Sequence, residues 1–402
     1  MNTICYFIDT PILASYKTSL LIDVFKNAGY RVLLNDVSAL INPRAHRTVK
    51  TDLVDYEAYE VNTFQSWGEV KKYIQQLDAG TIAIDIGGWN LQHYPIYHNL
   101  SKKGIPYGYL FLNSCYEMAS TTSFLERIKN FVTHHSIKRT LNSLFVRLPQ
   151  KWFRGQACSF VISNSPLEME NYKKRYYCDD QTQYLFVHSD FYEQALSIRG
   201  EPRIVPNKYC VWLDSYIPYH PDNEQLGIEV DPDSYYASLR RLFAWIQANM
   251  EVEVVISAHP RSDYAQHPEA YEGYRIIKNK TCLLVRDAEF VISAASTSVL
   301  AAVMYWKPIL FIVQDAIKET LKHHIALIEQ LSSELNAKVL DIDEDSFEEM
   351  REYLAIDEEA YQRCANGYIK LNHGKTICGD SNKDEIISFV QNIFNDLEAI
   401  EG

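Results

Sequence analysis

The chain has 402 residues, 47% apolar and 23% charged, with a formal net charge of −13. That length suits two domains better than one core, and the acidic balance excludes general nucleic-acid binding, which needs a basic footprint. No run of about 18 apolar residues is present to span a membrane.

In chain order, "MNTICYFIDTPILASY" has neither a basic leader nor a long apolar stretch and does not read as a signal peptide. Within it "TICYFI" reads as a strand. "SLLIDVFKNAGY" follows as a helix closed by Gly29, then "RVLLND" as a strand, "SWGEVKKYIQQLDAG" as a helix and "TIAIDI" as a strand. "YPIYHNLSKKG" is the next helix and "IPYGYLFL" the next strand, with "CSFVISNS" and "QYLFVHS" as later strands. This alternation predicts a parallel sheet with helices on both faces. A second series starts near residue 207. "KYCVWLDS" reads as a strand, "DSYYASLRRLFAWIQANM" as a helix and "EVEVVISAHP" as a strand; "CLLVRD" or its neighbourhood continues the series. Then come "AEFVISAAS" as a strand, "TSVLAAVMYW" as a helix and "KPILFIV" as a strand. The last segment, "DEIISFVQNIFNDLEAI", is an amphipathic helix with Ile386, Ile387, Val390, Ile393, Phe394 and Leu397 on one stripe.

Between the series, "IRGEPRIVPNK" (198–208) carries Gly200, Pro202 and Pro206 and is the expected linker. The reading is therefore α/β: two Rossmann-like domains, 1–200 and 207–402, facing a central cleft. The eight cysteines form no CxxC pair or metal-like spacing and read as reduced thiols of a cytoplasmic protein.

Chemistry is expected at strand exits, where open α/β sheets bind ligands. "VVISAHPRSDY" (254–264) runs a β-branched strand straight into His259, Pro260 and Arg261. "FVISAASTSVLAAV" sets Ser293, Ser296, Thr297 and Ser298 before an apolar helix. Hydroxyls and unpaired N–H groups at a helix start either cap it or hold a phosphate. Three carboxylates stand at or near such exits: Asp85 in "AIDIGGWN", Asp214 in "CVWLDSYIPYHPD" and Asp190 in "FVHSDFYEQAL". The simpler reading of Asp214 caps the turn at Ser215, and that of Asp190 caps a helix. His220-Pro221 follows Pro218 and reads as a turn. Asp341, Asp343 and Asp345 in "VLDIDEDSFEEMREYL" mimic DxD spacing, but Asp345 or Ser346 reads more simply as the cap of a helix with an acidic first turn. Asp231 before the helix near Ser234 reads the same way. Residues 124–154 hold seven Lys/Arg and one Glu interleaved with aromatics. They read either as a face for an anionic membrane, glycan or lipid-linked acceptor or as a solvated helical insertion.

His-Pro after a strand, the serine/threonine stretch at the next helix start and "KPILFI" together resemble the C-terminal domain of GT-B glycosyltransferases that use cytidine nucleotides. These include bacterial sialyltransferases, polysialyltransferases and transferases of other nonulosonic acids or Kdo. The resemblance implies that His259, Pro260, Arg261, Ser293, Ser296, Thr297 and Ser298 bind the CMP part of the donor. It implies that the acidic D/E-D/E-G motif of the first domain, matched in part by Asp85 with Gly87-Gly88, supplies the base, with Asp214 and then Asp190 as rivals for that role. It implies transfer of a sialic-acid-like sugar or Kdo from CMP to a surface-glycan or glycolipid acceptor, inversion by analogy with sialyltransferases although a Kdo enzyme could retain configuration, and no metal or other cofactor. Teichoic-acid polymerases using CDP-glycerol resemble the same C-terminal pattern, so a CDP-alditol phosphotransferase stands as the alternative, and a catalytically inactive GT-B scaffold subunit as a rival of another class. The expected location is the cytoplasm, peripheral at the inner face of the membrane if 124–154 engages it. In the transfer itself, charge grows on the departing phosphate. A protonated His259 and the hydroxyls could meet it, while Arg261 either holds a donor anion or is a solvated loop residue.

Overall fold

A computed structural model of the chain describes residues 1–14, 16–48, 53–112, 141–142, 144–146, 148, 150–153, 155–220, 223, 228–369 and 380–401. They form two compact units, each around its own parallel sheet.

The first sheet has seven strands: β1 (Thr3–Ile8), β2 (Arg31–Asp36), β3 (Glu60–Thr63), β4 (Thr81–Asp85), β5 (Tyr107–Phe111), β6 (Phe160–Ser163) and β7 (Gln183–Phe186). Their spatial order is β3-β2-β1-β4-β5-β6-β7, all parallel. The chain reverses its direction of travel across the sheet between β1 and β4, which makes their carboxyl ends the switch point. The two-residue period of a strand divides the apolar residues between two layers. Ile4, Tyr6 and Ile8 of β1, with Ile82 and Ile84 of β4, enter one core, while Cys5, Phe7 and Ala83 enter the other. Val70 and Ile74 of the Trp67–Gln76 helix and Ile96, Tyr97 and Leu100 of the Tyr94–Lys103 helix cover the second of these layers. Ser66 accepts the Glu69 N–H and so caps the first helix, and Gly104, at φ 74, ends the second.

The second sheet has six strands: β8 (Tyr209–Leu213), β9 (Glu253–Ala258), β10 (Arg275–Lys278), β11 (Val291–Ser293), β12 (Ile309–Val313) and β13 (Val339–Asp341). The order is β10-β9-β8-β11-β12-β13, again all parallel, with the switch point between β8 and β11. The Pro232–Asn249 helix buries Tyr235, Tyr236, Leu239, Leu242, Phe243 and Ile246 on this core. As read from the sequence, Asp231 caps it, accepting the Ser234 N–H at 3.0 Å.

The domain boundaries differ from those read in the sequence. The Asp190–Ser197 helix buries Tyr192 and Ala195 in the second core, and Val205 of the expected linker lies there too, so the second unit begins at Phe191. The terminal Lys383–Glu401 helix returns to the first unit, where Ile386, Val390, Ile393 and Phe394 fill the layer that Ile4 and Ile8 line. Its apolar stripe was legible, but the sheet it covers was not. "CLLVRD" lies in a helix, Thr281–Asp287, and strands β3, β10 and β13 lack the longer apolar run that marked the others. Asp345 caps no helix: its carboxylate accepts the Asp341 N–H at 2.8 Å and closes a turn, and a short 3-10 helix follows only at Met350–Leu354.

The greater part of the basic segment, residues 124–140, lies outside the described residues. Of its described part, Phe145 is buried against Phe153 and Trp89, with ring centroids 4.5 and 5.5 Å apart, while Leu141, Leu144 and Trp152 are exposed. Among the described residues no helix is long and apolar enough to cross a membrane.

Candidate functional site

Asp85 ends β4 at the switch point of the first sheet. Its side chain is buried and three donors meet it. His93 Nδ1 lies 2.9 Å from Oδ1, the Gly88 N–H donates to Oδ2 at 3.0 Å, and the Tyr97 hydroxyl donates to the same oxygen. His93 Nε2 reaches a second carboxylate, Asp9 just beyond β1, at 3.3 Å. Exposure rises along this line, from 0% for Asp85 and 1% for His93 to 27% for Asp9. Burial alone would favour a neutral imidazole, but the charges and hydrogen bonds of Asp85, then Asp9, outweigh it and raise the His93 pKa to about 10. The ring is therefore an imidazolium at neutral pH, donating from both nitrogens.

The glycines after Asp85 have a steric reason. A Cβ on Gly87 would sit 1.8 Å from the His93 ring, and Gly88, at φ 73, is packed against Tyr176. Asn90 then orders the turn into the next helix: its Oδ1 accepts the N–H groups of Gln92 and His93 at 2.9 and 3.0 Å. The sequence reading found Asp85 and missed His93 and Asp9. A signal for Asp9 was present, since "YFID" and "IAID" end the two strands that flank the switch point in the same way.

In the second unit, Asp214 follows β8. Its Oδ1 accepts from the Tyr216 N–H at 2.9 Å and the Tyr271 hydroxyl at 3.0 Å; its Oδ2 accepts from the Tyr264 hydroxyl at 2.7 Å and the His259 N–H at 3.2 Å. Burial raises its pKa, and these four hydrogen bonds oppose that rise. Tyr216 adopts φ 53 to turn its amide inward, a left-handed conformation rare for a bulky residue.

His259 leaves β9 beside this carboxylate. The Arg261 N–H donates to its Nδ1 at 3.1 Å, so the neutral ring carries its proton on Nε2. The Ser262 N–H and hydroxyl both donate to the His259 carbonyl, at 2.9 and 2.7 Å, which fixes the turn holding Pro260 and Arg261. His220, read from sequence as part of a turn, does end one. Its ring also lies edge-on to His259, with centroids 5.0 Å apart.

Ser293 ends β11 and is buried; Ser296 and Ser298 are half-buried and Thr297 is exposed. The expected row of open helix N–H groups is absent at Val299–Ala301. Val299, Leu300 and Ala301 donate to the carbonyls of Ser296, Thr297 and Ser298 at 3.3, 3.2 and 3.0 Å, and the Ser298 N–H goes to Ser296 Oγ at 3.3 Å. The helix itself is one short run, Val299–Met304. Ser215 Oγ donates to the Ala295 carbonyl at 3.4 Å and ties the β8 exit to the β11 exit across the switch point. His259, Asp214 and the Ser293–Ser298 exit thus lie on three adjacent strands at one edge of one sheet. Asp190 belongs to the first unit. It begins a helix, and its N–H donates to the Leu112 carbonyl at 2.9 Å.

Asp315, Asp341 and Glu344 form an acidic cluster, and Lys318 already occupies it, 2.6 Å from Asp315 and 3.4 Å from Glu344, with Asp341 also paired.

No protein-family model matches the chain, and no curated protein is similar to it in sequence. Solved structures are similar to it in shape. The calicheamicin glycosyltransferase CalG4 matches with a TM-score of 0.54 and 11% identity, over 98% of this chain and 99% of that one. The fold is GT-B. A putative UDP-N-acetylglucosamine 2-epimerase from Listeria monocytogenes matches at TM-score 0.48 and 11% identity, covering 99% and 98% of the two chains. The glycosyltransferase SnogD from Streptomyces nogalater matches at 0.48 and 12%, covering 97% and 99%. Each GT-B domain here carries a polar cluster at its switch point.

Proposed function

We propose that this chain is a glycosyltransferase that moves a nonulosonic acid, a sialic-acid-like sugar or Kdo, from its CMP-activated form to a glycan or glycolipid acceptor without a metal. The observation that carries the reading is the hydrogen bond from the Arg261 N–H to His259 Nδ1, which puts the proton of the neutral ring on Nε2 beside the carboxyl edge of the second sheet. A departing CMP gains negative charge on its phosphate, and a positioned N–H there lowers the barrier without a metal ion. Ser296 and Thr297 add hydroxyls on the far side of β8. Asp214 takes no proton in this scheme. With four donors on its carboxylate it positions the His259 turn.

In the first domain the base is the exposed end of the carboxylate–imidazolium–carboxylate line. Asp85 is saturated by three donors and buried, so it holds His93; His93 in turn orients Asp9. The acceptor hydroxyl gives its proton to Asp9 as its oxygen attacks the anomeric carbon.

The test is a melting-temperature screen with CMP, CDP, UDP, GDP and ADP, with and without EDTA, followed by assay of CMP release from CMP-sugars. A selective rise with cytidine nucleotides that persists in EDTA supports the reading. A rise only with uridine or guanosine nucleotides refutes the donor class. Transfer of phosphate along with the donor group identifies the CDP-alditol phosphotransferase instead, and binding without turnover of any donor identifies a scaffold.

A further inference from the structure

Buried polar groups in folded proteins are almost always hydrogen-bonded, and an exception calls for an explanation. Gln314 is such an exception. It is 1% exposed, and both its Oε1 and its Nε2 lack a partner. Several other buried groups share that state, but Gln314 differs in place and chemistry. It follows β12 directly, and its backbone carbonyl accepts the Ile317 N–H at 3.1 Å, so the residue is fixed at the strand exit. Ser293 pairs with Phe311 in the β11–β12 register. Gln314 is the first residue past β12, and Ser296 follows the bend that ends β11. Both therefore stand at the carboxyl edge, on neighbouring strands. The acidic groups on its other flank are already engaged: Asp343 accepts from Ser238, Arg241 and the Asp315 N–H at 2.6, 2.8 and 2.8 Å.

An unpaired carboxamide offers one donor and one acceptor side by side. The Watson–Crick edge of a nucleobase presents the complementary pair. From β9, which carries His259, to β12 is three strand spacings of about 4.8 Å, so a nucleotide laid along the edge with its phosphate at His259 has its base toward Gln314. We propose that Gln314 reads the base of the nucleotide donor through both atoms of its carboxamide. This rests on the nucleotide-dependent transfer proposed above.

The test uses the full chain, Gln314→Leu and, as a second variant that keeps side-chain length, Gln314→Met. Melting temperatures are measured without ligand, and affinities for CMP, UMP, AMP and GMP by calorimetry. Removing an unpaired buried polar group stabilises a protein, so both variants are expected to melt higher than wild type without ligand. The preferred nucleotide should bind about tenfold weaker or worse, and the preference among the four bases should collapse, since a bidentate pair sets that discrimination. Equal weakening for all four nucleotides, or unchanged affinity, overturns the proposal while leaving the transferase reading intact. A lower melting temperature in both variants also overturns it, by revealing a structural partner for the amide. If wild type binds none of the four, the transferase reading fails first and this inference with it.

Discussion

The His259 backbone N–H donates to the carboxylate of Asp214 at 3.2 Å, and the same carboxylate accepts from Tyr216, Tyr264 and Tyr271. One buried anion thus gathers the ends of β8 and β9. Asp214→Asn places an NH2 group against N–H and O–H donors. We expect it to cost about 1–3 kcal/mol of stability and to weaken CMP binding by loosening the His259 turn. Urea unfolding and CMP titration check this. A variant of normal stability and normal CMP affinity that cannot transfer sugar would make Asp214 the base after all.

His259→Ala is expected to lower turnover by roughly 10²–10³-fold, the range for a lost hydrogen-bond donor to developing negative charge. Ser296→Ala is expected to act on nucleotide affinity by about 0.5–1.5 kcal/mol. Steady-state assays of CMP release separate the two. Full activity in His259→Ala returns this turn to the status of an ordinary strand exit.

Asp9 and Asp85 separate by exposure. Asp9→Asn is expected to destabilise the fold less than Asp85→Asn, because Asp9 is partly exposed and keeps an acceptor oxygen toward His93, and to lower transfer by about 10²–10⁴-fold. Asp85→Asn strands a buried imidazolium and is expected to destabilise the first domain by roughly 3–5 kcal/mol. Parallel transfer assays and melting curves decide the matter: an active Asp9→Asn protein removes Asp9 from the chemistry.

His93 makes stability depend on pH. Its folded pKa is raised from 6.5 to about 10. The stabilisation is therefore fully present below about pH 6.5 and is lost as pH rises through 10. Wild type should lose urea resistance across that window, and His93→Gln should show a flatter profile, converging with wild type at the alkaline end. Parallel profiles for the two proteins would show that His93 does not carry this charge.

Cysteine reactivity gives a further check. The Cys158 and Cys178 sulfurs lie 3.3 Å apart. The hydrogen bond from Cys158 lowers the Cys178 pKa and raises that of Cys158. Cys178, half-buried, should be the first of the six described cysteines alkylated by iodoacetamide, and Cys158→Ala should slow it. Peptide mass mapping over time reads the order.

Much of the fold was legible because buried parallel strands are near-continuous apolar runs: "TICYFI", "RVLLND" and "IAID" fall within or coincide with strands. β3, β10 and β13 escaped because these edge strands are short and carry mixed residues. The site was legible at the strand exits, where a carboxylate or His-Pro interrupts an apolar run. Asp85 and His259 were singled out on that ground. The His93–Asp85 contact was hidden because it depends on a turn that folds His93 back eight residues onto Asp85, and a lone histidine before a helix carries no periodic mark. The saturation of Asp214 was equally invisible, since its partners Tyr264 and Tyr271 lie 50 and 57 residues away.

The return of the Lys383–Glu401 helix to the first sheet has a consequence for synthesis. A chain leaving the ribosome usually folds its leading domain first. Here that domain is still missing the cover for Ile4, Ile8 and Phe160 until residues 383–401 have emerged. The strands made early wait with one oily face bare while the whole second domain is synthesised. A chain cut off between the second domain and Phe394 would therefore injure the domain made first, not the one made last.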